Sequence, residues 1–235
     1  MVPAKRVSTG NCLVDALPRG DRSRFIAGCE DADLAASQVL FEPGERVRHA
    51  HFPTTGYVSL LAPVDGTTLI EVGLAGREGM AGMSLMAGIA ESPLQAIVQG
   101  AGHAYRMDAP EFRRLLVTCP ALKSLLDRYV FVLLTQVART AGCTKFHLVE
   151  ARLARWLLMT QDRARSSQFR VTHEFLALML GVRRAGVTHA ATALSARGLI
   201  QYRRGHVEIL DRPGLKAASC TCYQADCDTY RLAIA

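Results

Sequence analysis

Long hydrophobic runs are missing from this sequence of 235 residues, and aromatic side chains are scarce. The longest apolar stretch runs only from Phe175 to Val182, far short of the roughly 20 residues that cross a bilayer. No apolar signal core follows the polar N-terminus. Hydrophobic residues nevertheless make up 49% of the chain, which excludes intrinsic disorder as the main state. We expect a cytoplasmic globular protein with no membrane partner.

A regular cysteine pattern is also lacking, because the seven cysteines are odd in number and mostly scattered. Reduced thiols are therefore expected rather than a disulfide framework. Near the C-terminus, Cys220, Cys222 and Cys227 form a cluster that could bind a soft metal, respond to oxidation or be ordinary tail cysteines. Only three thiols are present and the nearest upstream histidine is His206, so we expect no metal site and no cofactor.

Positive charge is concentrated in the C-terminal part. Residues 1–145 carry 15 basic and 14 acidic residues, a net charge of +1, whereas residues 146–235 carry 13 basic and 7 acidic residues, a net charge of +6. This imbalance indicates a polyanion partner for that part, or alternatively an Arg-rich solvated surface.

From about Val39 to Met107 the chain consists of short β-rich segments separated by glycine, with turn signals every 8–12 residues. This spacing is typical of an antiparallel sandwich or barrel, and it predicts a β-roll or jelly roll. Alternation from Leu69 to Leu74 predicts a strand with one buried and one more open face. With the helices that follow, the fold class is α+β.

A long helix is predicted from near Pro120, because apolar residues recur there at spacings of three and four. Such a stripe could form a dimer seam or the inner face of an ordinary core helix. A second helix is expected from about Leu148 to Arg163. The candidate dimer-interface residues are Leu122, Leu126, Tyr129, Leu133 and Val137.

The segment from Val171 to Leu210 carries the clearest functional pattern. Thr172 is a good N-cap for a helix through Leu180, Gly181 can end that helix in a left-handed conformation, and a second helix runs from about Arg183 to Arg197. Val187, Ala190, Ala191 and Leu194 are predicted to face inward. Arg184, Ala185, Thr188, His189 and Thr192 are predicted to share the exposed face.

Two short strands are predicted after this helix pair, joined by the basic turn Arg203-Arg204-Gly205-His206. A basic wing beside an exposed helix suits phosphate contact, while the helix face suits base contact. The alternative is a structural three-helix unit with a solvated hairpin. The candidate DNA-binding residues are Thr172, Arg183, Arg184, Ala185, Thr188, His189, Thr192, Tyr202, Arg203, Arg204 and His206.

Together, the glycine-punctuated β-roll, the long helix, residues 149–158 (VEARLARWLL) and the winged helix-turn-helix at 180–211 resemble the Crp/Fnr family of bacterial transcription regulators. The resemblance implies an effector-type domain at 1–118, a dimerisation helix at 119–146 and a DNA-binding domain at 147–235. It also implies a homodimer on double-stranded DNA that regulates transcription, with RNA polymerase as a further partner and an unknown small-molecule effector.

Family motifs match this sequence only in part. In the recognition helix Arg184 matches, but Ala185 replaces a glutamate and His189 replaces an arginine. The glutamate and arginine that hold a cyclic nucleotide in the family are absent, so cyclic AMP is not expected as effector. Nor do Cys12 and Cys29 alone make an iron–sulfur motif. The residues of this degenerate effector pocket are Gly79, Ala81, Gly82, Met83, Leu94 and Gln95.

A rival interpretation starts from His49 and His51, which lie on one face of a predicted strand as metal ligands do in cupins. The rival function is a cupin-like metal-dependent enzyme with an appended helical domain. Cupins carry a glutamate three or four residues later, where this chain has threonine and glycine, and His103 is the only distant third ligand. We therefore expect a regulator and not an enzyme.

Overall fold

The computed structural model describes residues 8–65 and 68–234, which form a β-rich N-terminal half and a helical C-terminal half. None of the helices in these two ranges is both long and apolar enough to cross a membrane. The elements of the N-terminal half are α1 Cys12–Ala16, α2 Arg19–Ala27, β1 Glu30–Leu34, β2 Val39–Phe41, β3 His49–Pro53, β4 Tyr57–Asp65, β5 Thr68–Ala75, β6 Gln95–Gly100, β7 Gly102–Asp108 and α3 Ala109–Thr118.

The strands of this half form two antiparallel sheets, with the orders β1-β7-β3 and β2-β6-β4-β5. Side chains from both sheets, including Phe52, Val58 and Met107, pack into one core. The predicted antiparallel β-roll is thus confirmed. One part of the predicted β-rich region is wrong, because Met83–Ala87 is a 3₁₀ helix; Gly82 and Gly88 on either side of it take left-handed backbone conformations.

Helices dominate the second half, and a small sheet of order β8-β10-β9 completes the winged unit. The predicted long helix begins at Pro120 as expected and continues to Phe146. The elements are α4 Pro120–Phe146, α5 Val149–Ala164, β8 Gln168–Arg170, α6 His173–Leu180, α7 Arg184–Ala196, β9 Ile200–Arg203, β10 His206–Ile209, α8 Arg212–Ala218 and α9 Cys222–Ile234.

The two halves pack against each other through β5 and α5. Glu71 of β5 is buried, and its carboxylate accepts hydrogen bonds from Ser59 Oγ (2.7 Å) and from Trp156 Nε1 of α5 (2.8 Å). Arg163 of α5 places Nε 2.8 Å from Glu78 Oε1 of the β-roll. The face of β5 that was predicted to be the more open one, which carries Glu71, is therefore covered by the helical half.

The last helix, α9, returns to the N-terminal half. Ile234 belongs to the same core cluster as the β-roll, and the Tyr230 hydroxyl donates to the Glu78 carbonyl (3.0 Å). Arg139 of α4 forms an ion pair with Asp226 of α9. The segment 147–235, predicted to be the DNA-binding domain, thus ends in a helix that packs on α4 and the β-roll.

Candidate nucleic-acid interface

The turn between α6 and α7 has the local structure that the sequence predicts. Thr172 caps α6 by accepting the Phe175 N–H (3.2 Å), and Gly181 ends the helix with φ of +60°. A Cβ at Gly181 would also lie 3.1 Å from the Ile70 side chain of β5, so the residue is both left-handed and closely packed. The predicted helix pair is confirmed.

Helix α7 separates a buried face from an exposed face. Val187, Ala190, Ala191 and Leu194 are buried in the helical core, as predicted. The opposite face is solvent-exposed and rich in short side chains, so a duplex could approach its backbone closely. Its members are Arg184, Ala185, Thr188, His189 and Thr192.

Arg184 is the longest cation on this face, and it contacts the preceding helix. Its Nε lies 2.9 Å from Glu174 Oε1, and both side chains are more than 60% exposed. Such an exposed pair contributes only about 0–1 kcal/mol, so the guanidinium can exchange Glu174 for another acceptor at little cost. Thr188 is fixed more firmly, since its Oγ1 donates to the Arg184 carbonyl (3.1 Å) and lies 2.9 Å from His173 Nδ1.

The wing is the hairpin of β9 and β10, supported on its other side by β8. Arg204 and Gly205 form its two-residue turn with φ of +48° and +79°, which is the geometry of a type I′ hairpin. Arg203, Arg204 and His206 are exposed around this turn. The hairpin therefore presents a basic tip beside the exposed face of α7.

Two of the predicted DNA-binding residues also hold the domain together. The Tyr202 hydroxyl donates to the Val171 carbonyl (2.6 Å), and its ring lies 4.3 Å from the ring of His173. The hydroxyl hydrogen of Tyr202 is therefore used within the domain, and its role in DNA binding stays a prediction. Thr172 uses its hydroxyl oxygen as an acceptor for the Phe175 N–H, and its role in DNA binding stays a prediction.

The predicted effector residues separate in the structure. Gly82, Met83 and Leu94 line an apolar groove of about 650 Å³ between the β-roll and α4. Gly79, by contrast, packs against Tyr129, whose hydroxyl oxygen would lie 1.9 Å from a Cβ. Ala81 is fully buried beside His51, with backbone hydrogen bonds in both directions, and Gln95 donates to Glu42 (2.6 Å). Gly79, Ala81 and Gln95 do not line this groove.

The positive charge in the groove is already paired. Lys123 is the cation among its lining residues, and its Nζ lies 2.7 Å from Asp127 Oδ2. A phosphate bound there would have to compete with Asp127 for this lysine.

The candidate dimer residues also divide into two groups. Leu122, Leu126 and Tyr129 are at most 1% exposed in the core of their own chain, which corrects their assignment to a dimer seam. Leu133 is half-buried and Val137 is exposed. The outer face of α4 carries three further exposed apolar residues that were not among the candidate dimer residues, namely Val130, Phe131 and Leu134.

The cupin-type ligand set does not assemble. His51 is buried, and this burial, followed by the charge of His49, lowers its pKa to about 4. His49 Nε2 lies 3.0 Å from Asp108, whereas His103 is exposed and pairs with Asp33 (2.9 Å). Within residues 8–65 and 68–234, neither His49 nor His51 belongs to a group of three or more possible metal ligands.

The C-terminal cysteines have different partners from those expected. Cys220 and Cys222 lie with Cys143 and His147, and the ligating atoms of all four are within 4.8 Å of one another. A hydrogen bond from Cys220, assisted by His147 and Arg155, lowers the pKa of the Cys143 thiol. Cys227 instead packs against the helical core. For Cys143 and His147, the sequence signal of a shared site was their spacing of four residues, which places both on one helix face.

Comparisons with known proteins agree with this architecture. The Crp-like helix-turn-helix domain matches residues 151–218, whereas no curated protein matches the chain. The c-di-GMP-responsive global regulator CLP of Xanthomonas campestris is 20% identical, with 82% of this chain and 99% of that chain covered and a TM-score of 0.64.

Two further solved structures share the fold. FixK2 of Bradyrhizobium japonicum is 11% identical, covers 82% of this chain and 98% of its own, and has a TM-score of 0.67. A CooA variant of Carboxydothermus hydrogenoformans is 15% identical, covers 90% and 97%, and has a TM-score of 0.59. Residues 151–218 therefore match the Crp-like helix-turn-helix domain, and the chain as a whole shares the fold of CLP, FixK2 and CooA.

Proposed function

We propose that this protein is a homodimeric transcription regulator that binds a specific DNA sequence. The observation that carries the proposal is the exposed face of α7 beside the basic tip of the wing, both within the matched Crp-like domain. A helix of this kind fits the major groove, and a neighbouring basic hairpin reaches the phosphate backbone. The positive charge of residues 146–235 favours the same partner.

Base recognition falls to α7 in this proposal. Arg184 would leave Glu174 and donate to the O6 and N7 atoms of a guanine, which is the commonest specific contact of arginine. His189 is the other side chain on this face that can reach a base edge. The short side chains of Ala185 and Thr192 would let the helix lie deep in the groove and contact a thymine methyl.

Phosphate contact falls to the wing. Arg203, Arg204 and His206 surround the type I′ turn without ion pairs to other described residues. Their contacts would supply affinity and register but no sequence preference, since every phosphate offers the same oxygens. The two basic elements thus have separable roles.

Dimerisation falls to the outer face of α4. Val130, Phe131, Leu134 and Val137 are between 40% and 67% exposed, and they follow each other at helical spacing. A second copy of α4 would cover this face and thereby close one side of the groove, which Val130, Leu134 and Val137 also line, while Leu122 and Tyr129 stay in the protomer core. Two-fold symmetry would then present two copies of α7 to half-sites about one helical turn of DNA apart.

The effector of this regulator is not a cyclic nucleotide bound in the usual mode of the family. The groove beside α4 is apolar, and its lysine is paired with Asp127. An anionic phosphate would lose water there without gaining a free counter-charge. Although CLP is described as responsive to c-di-GMP, an apolar ligand fits this groove better.

Selection of bound duplexes from a random DNA pool tests the proposal. The wild type should enrich a two-fold symmetric site with half-sites about one helical turn apart. Arg184→Ala should reduce the preference for one base at a single position of each half-site by about 1–3 kcal/mol. Arg204→Ala is the matched control. It should weaken binding to all duplexes alike, and it should reduce by about one the number of phosphate contacts that the salt dependence of binding indicates. A pool without an enriched motif would refute the proposal, and a change of base preference in Arg204→Ala would refute the division of roles.

A further inference from the structure

Four side chains capable of metal ligation meet where the long helix joins the helical half. Cys143 and His147 lie one turn apart at the C-terminal end of α4, where His147 is the residue that ends the helix. Cys220 belongs to the loop between α8 and α9, and Cys222 is the first residue of α9. The three cysteines are buried and His147 is half-buried.

The ligating atoms of all four residues lie within 4.8 Å of one another, which is close enough for one metal ion to contact them all. Zinc bonds of about 2.3 Å to sulfur and about 2.0–2.1 Å to nitrogen place two sulfurs about 3.8 Å apart, and a sulfur and a nitrogen about 3.5 Å apart. The Sγ atoms of Cys143 and Cys220 are 3.5 Å apart, and Cys222 Sγ lies 3.6 Å from His147 Nδ1. A disulfide between Cys143 and Cys220 would use only two of these four groups.

The surroundings of the group are fixed and positively charged. Arg155 of α5 donates to Asp226 Oδ2 of α9 (2.7 Å) and to Thr140 Oγ1 of α4 (3.1 Å), and so joins the helices that carry the cysteines. A zinc ion with three thiolates and a neutral imidazole has a net charge of −1. Arg155 and Arg152 both interact with the charge of Cys143, so they offset this negative charge even though Arg155 is shared with Asp226. Such outer partners orient and stabilise metal ligands.

We propose that Cys143, His147, Cys220 and Cys222 bind one tetrahedral Zn²⁺ ion. Thiolate and imidazole ligands in a closed set of four are typical of structural zinc sites, whereas hard cations prefer oxygen. The three thiols release their protons on binding, and the ion joins the end of α4 to the start of α9. It therefore fixes the two-residue connection between α4 and α5, His147-Leu148, from which the DNA-binding domain extends.

Metal analysis of the purified full-length chain tests this proposal without any DNA. Protein prepared under reducing conditions, without a chelator or a histidine tag, should contain about one zinc per chain. Replacement by Co²⁺ should give the intense visible absorption of tetrahedral cobalt bound to thiolates. Cys220→Ser should reduce the zinc content at least about tenfold.

Cys227→Ser is the matched control, since Cys227 lies on the same helix as Cys222 but outside the group. It should retain the zinc and the cobalt spectrum of the wild type. Zinc-free wild type that takes up no cobalt after reduction would overturn the proposal. So would equal metal loss in both variants, or a Cys143–Cys220 disulfide found by peptide mapping of anaerobically prepared protein.

Discussion

Replacing Glu71 by glutamine should remove a pH dependence of stability that the interface between the β-roll and α5 creates. Burial, opposed by the hydrogen bonds of Ser59 and Trp156 and by the charge of Arg163, raises the pKa of Glu71 to about 7 from 4.5. In the unfolded chain the carboxyl returns to the ordinary value. Glutamine keeps both hydrogen bonds, because its oxygen accepts from Trp156 and its amide donates to the Ser59 hydroxyl.

The sign follows from proton binding. Between pH 4.5 and 7 the folded state holds a proton on Glu71 that the unfolded state has lost, so the free energy of unfolding falls as pH rises through this window. A difference of 2.5 pKa units corresponds to about 3 kcal/mol. Below pH 4.5 both states are protonated, and above pH 7 both are ionised, so the contribution is constant outside the window.

Urea unfolding of wild type and Glu71→Gln at pH 5, 6, 7 and 8 measures this contribution directly. The variant should gain up to about 3 kcal/mol relative to wild type between pH 5 and 8. Buried His51 adds its own pH dependence, but it is common to both proteins and cancels in the difference. Exposed Glu91→Gln is the control and should follow the wild type. Parallel curves for wild type and Glu71→Gln would refute the assignment of a raised pKa to this carboxyl.

Two further predictions concern assembly and the effector. Leu134→Glu should shift sedimentation toward the monomer, because it places a charge on the exposed apolar face of α4. Val117→Glu, at an exposed position of α3, should leave the oligomeric state unchanged. A monomeric wild type would refute the dimer, and an unchanged Leu134→Glu dimer would show that the interface lies elsewhere. Calorimetric titration with cyclic AMP or cyclic GMP should give no saturable binding at micromolar levels, because the lysine in the groove is paired with Asp127, and a dissociation constant below about 10 μM would contradict this.

Local signals predicted the helix-turn-helix because its determinants lie within a few residues of one another. Thr172, Gly181 and the Arg204-Gly205 turn act through nearby backbone atoms, so their roles can be inferred from neighbouring sequence. The same holds for the start of α4 at Pro120, where proline suits a first helical turn.

Contacts between distant segments could not be predicted in this way. Apolar periodicity marks both faces of α4 alike, and only the position of the β-roll decides that Tyr129 is inside and Leu134 outside. Glu71 resembles a surface residue in the sequence, because Trp156, which covers it in the structure, lies 85 positions later. Cys143 and Cys220 are 77 positions apart, so the sequence suggested Cys227 as the third member of the cluster instead.

The return of α9 to the β-roll limits how the DNA-binding domain can move. The domain is attached at its entry through the short link after α4 and again at its exit through α9, whose Tyr230 contacts Glu78. The domain is also held where α5 packs on β5, because Trp156 donates to the buried carboxylate of Glu71. A change in its orientation must therefore break this interface or shift it together with both attachments, so it requires far more than the bending of one hinge.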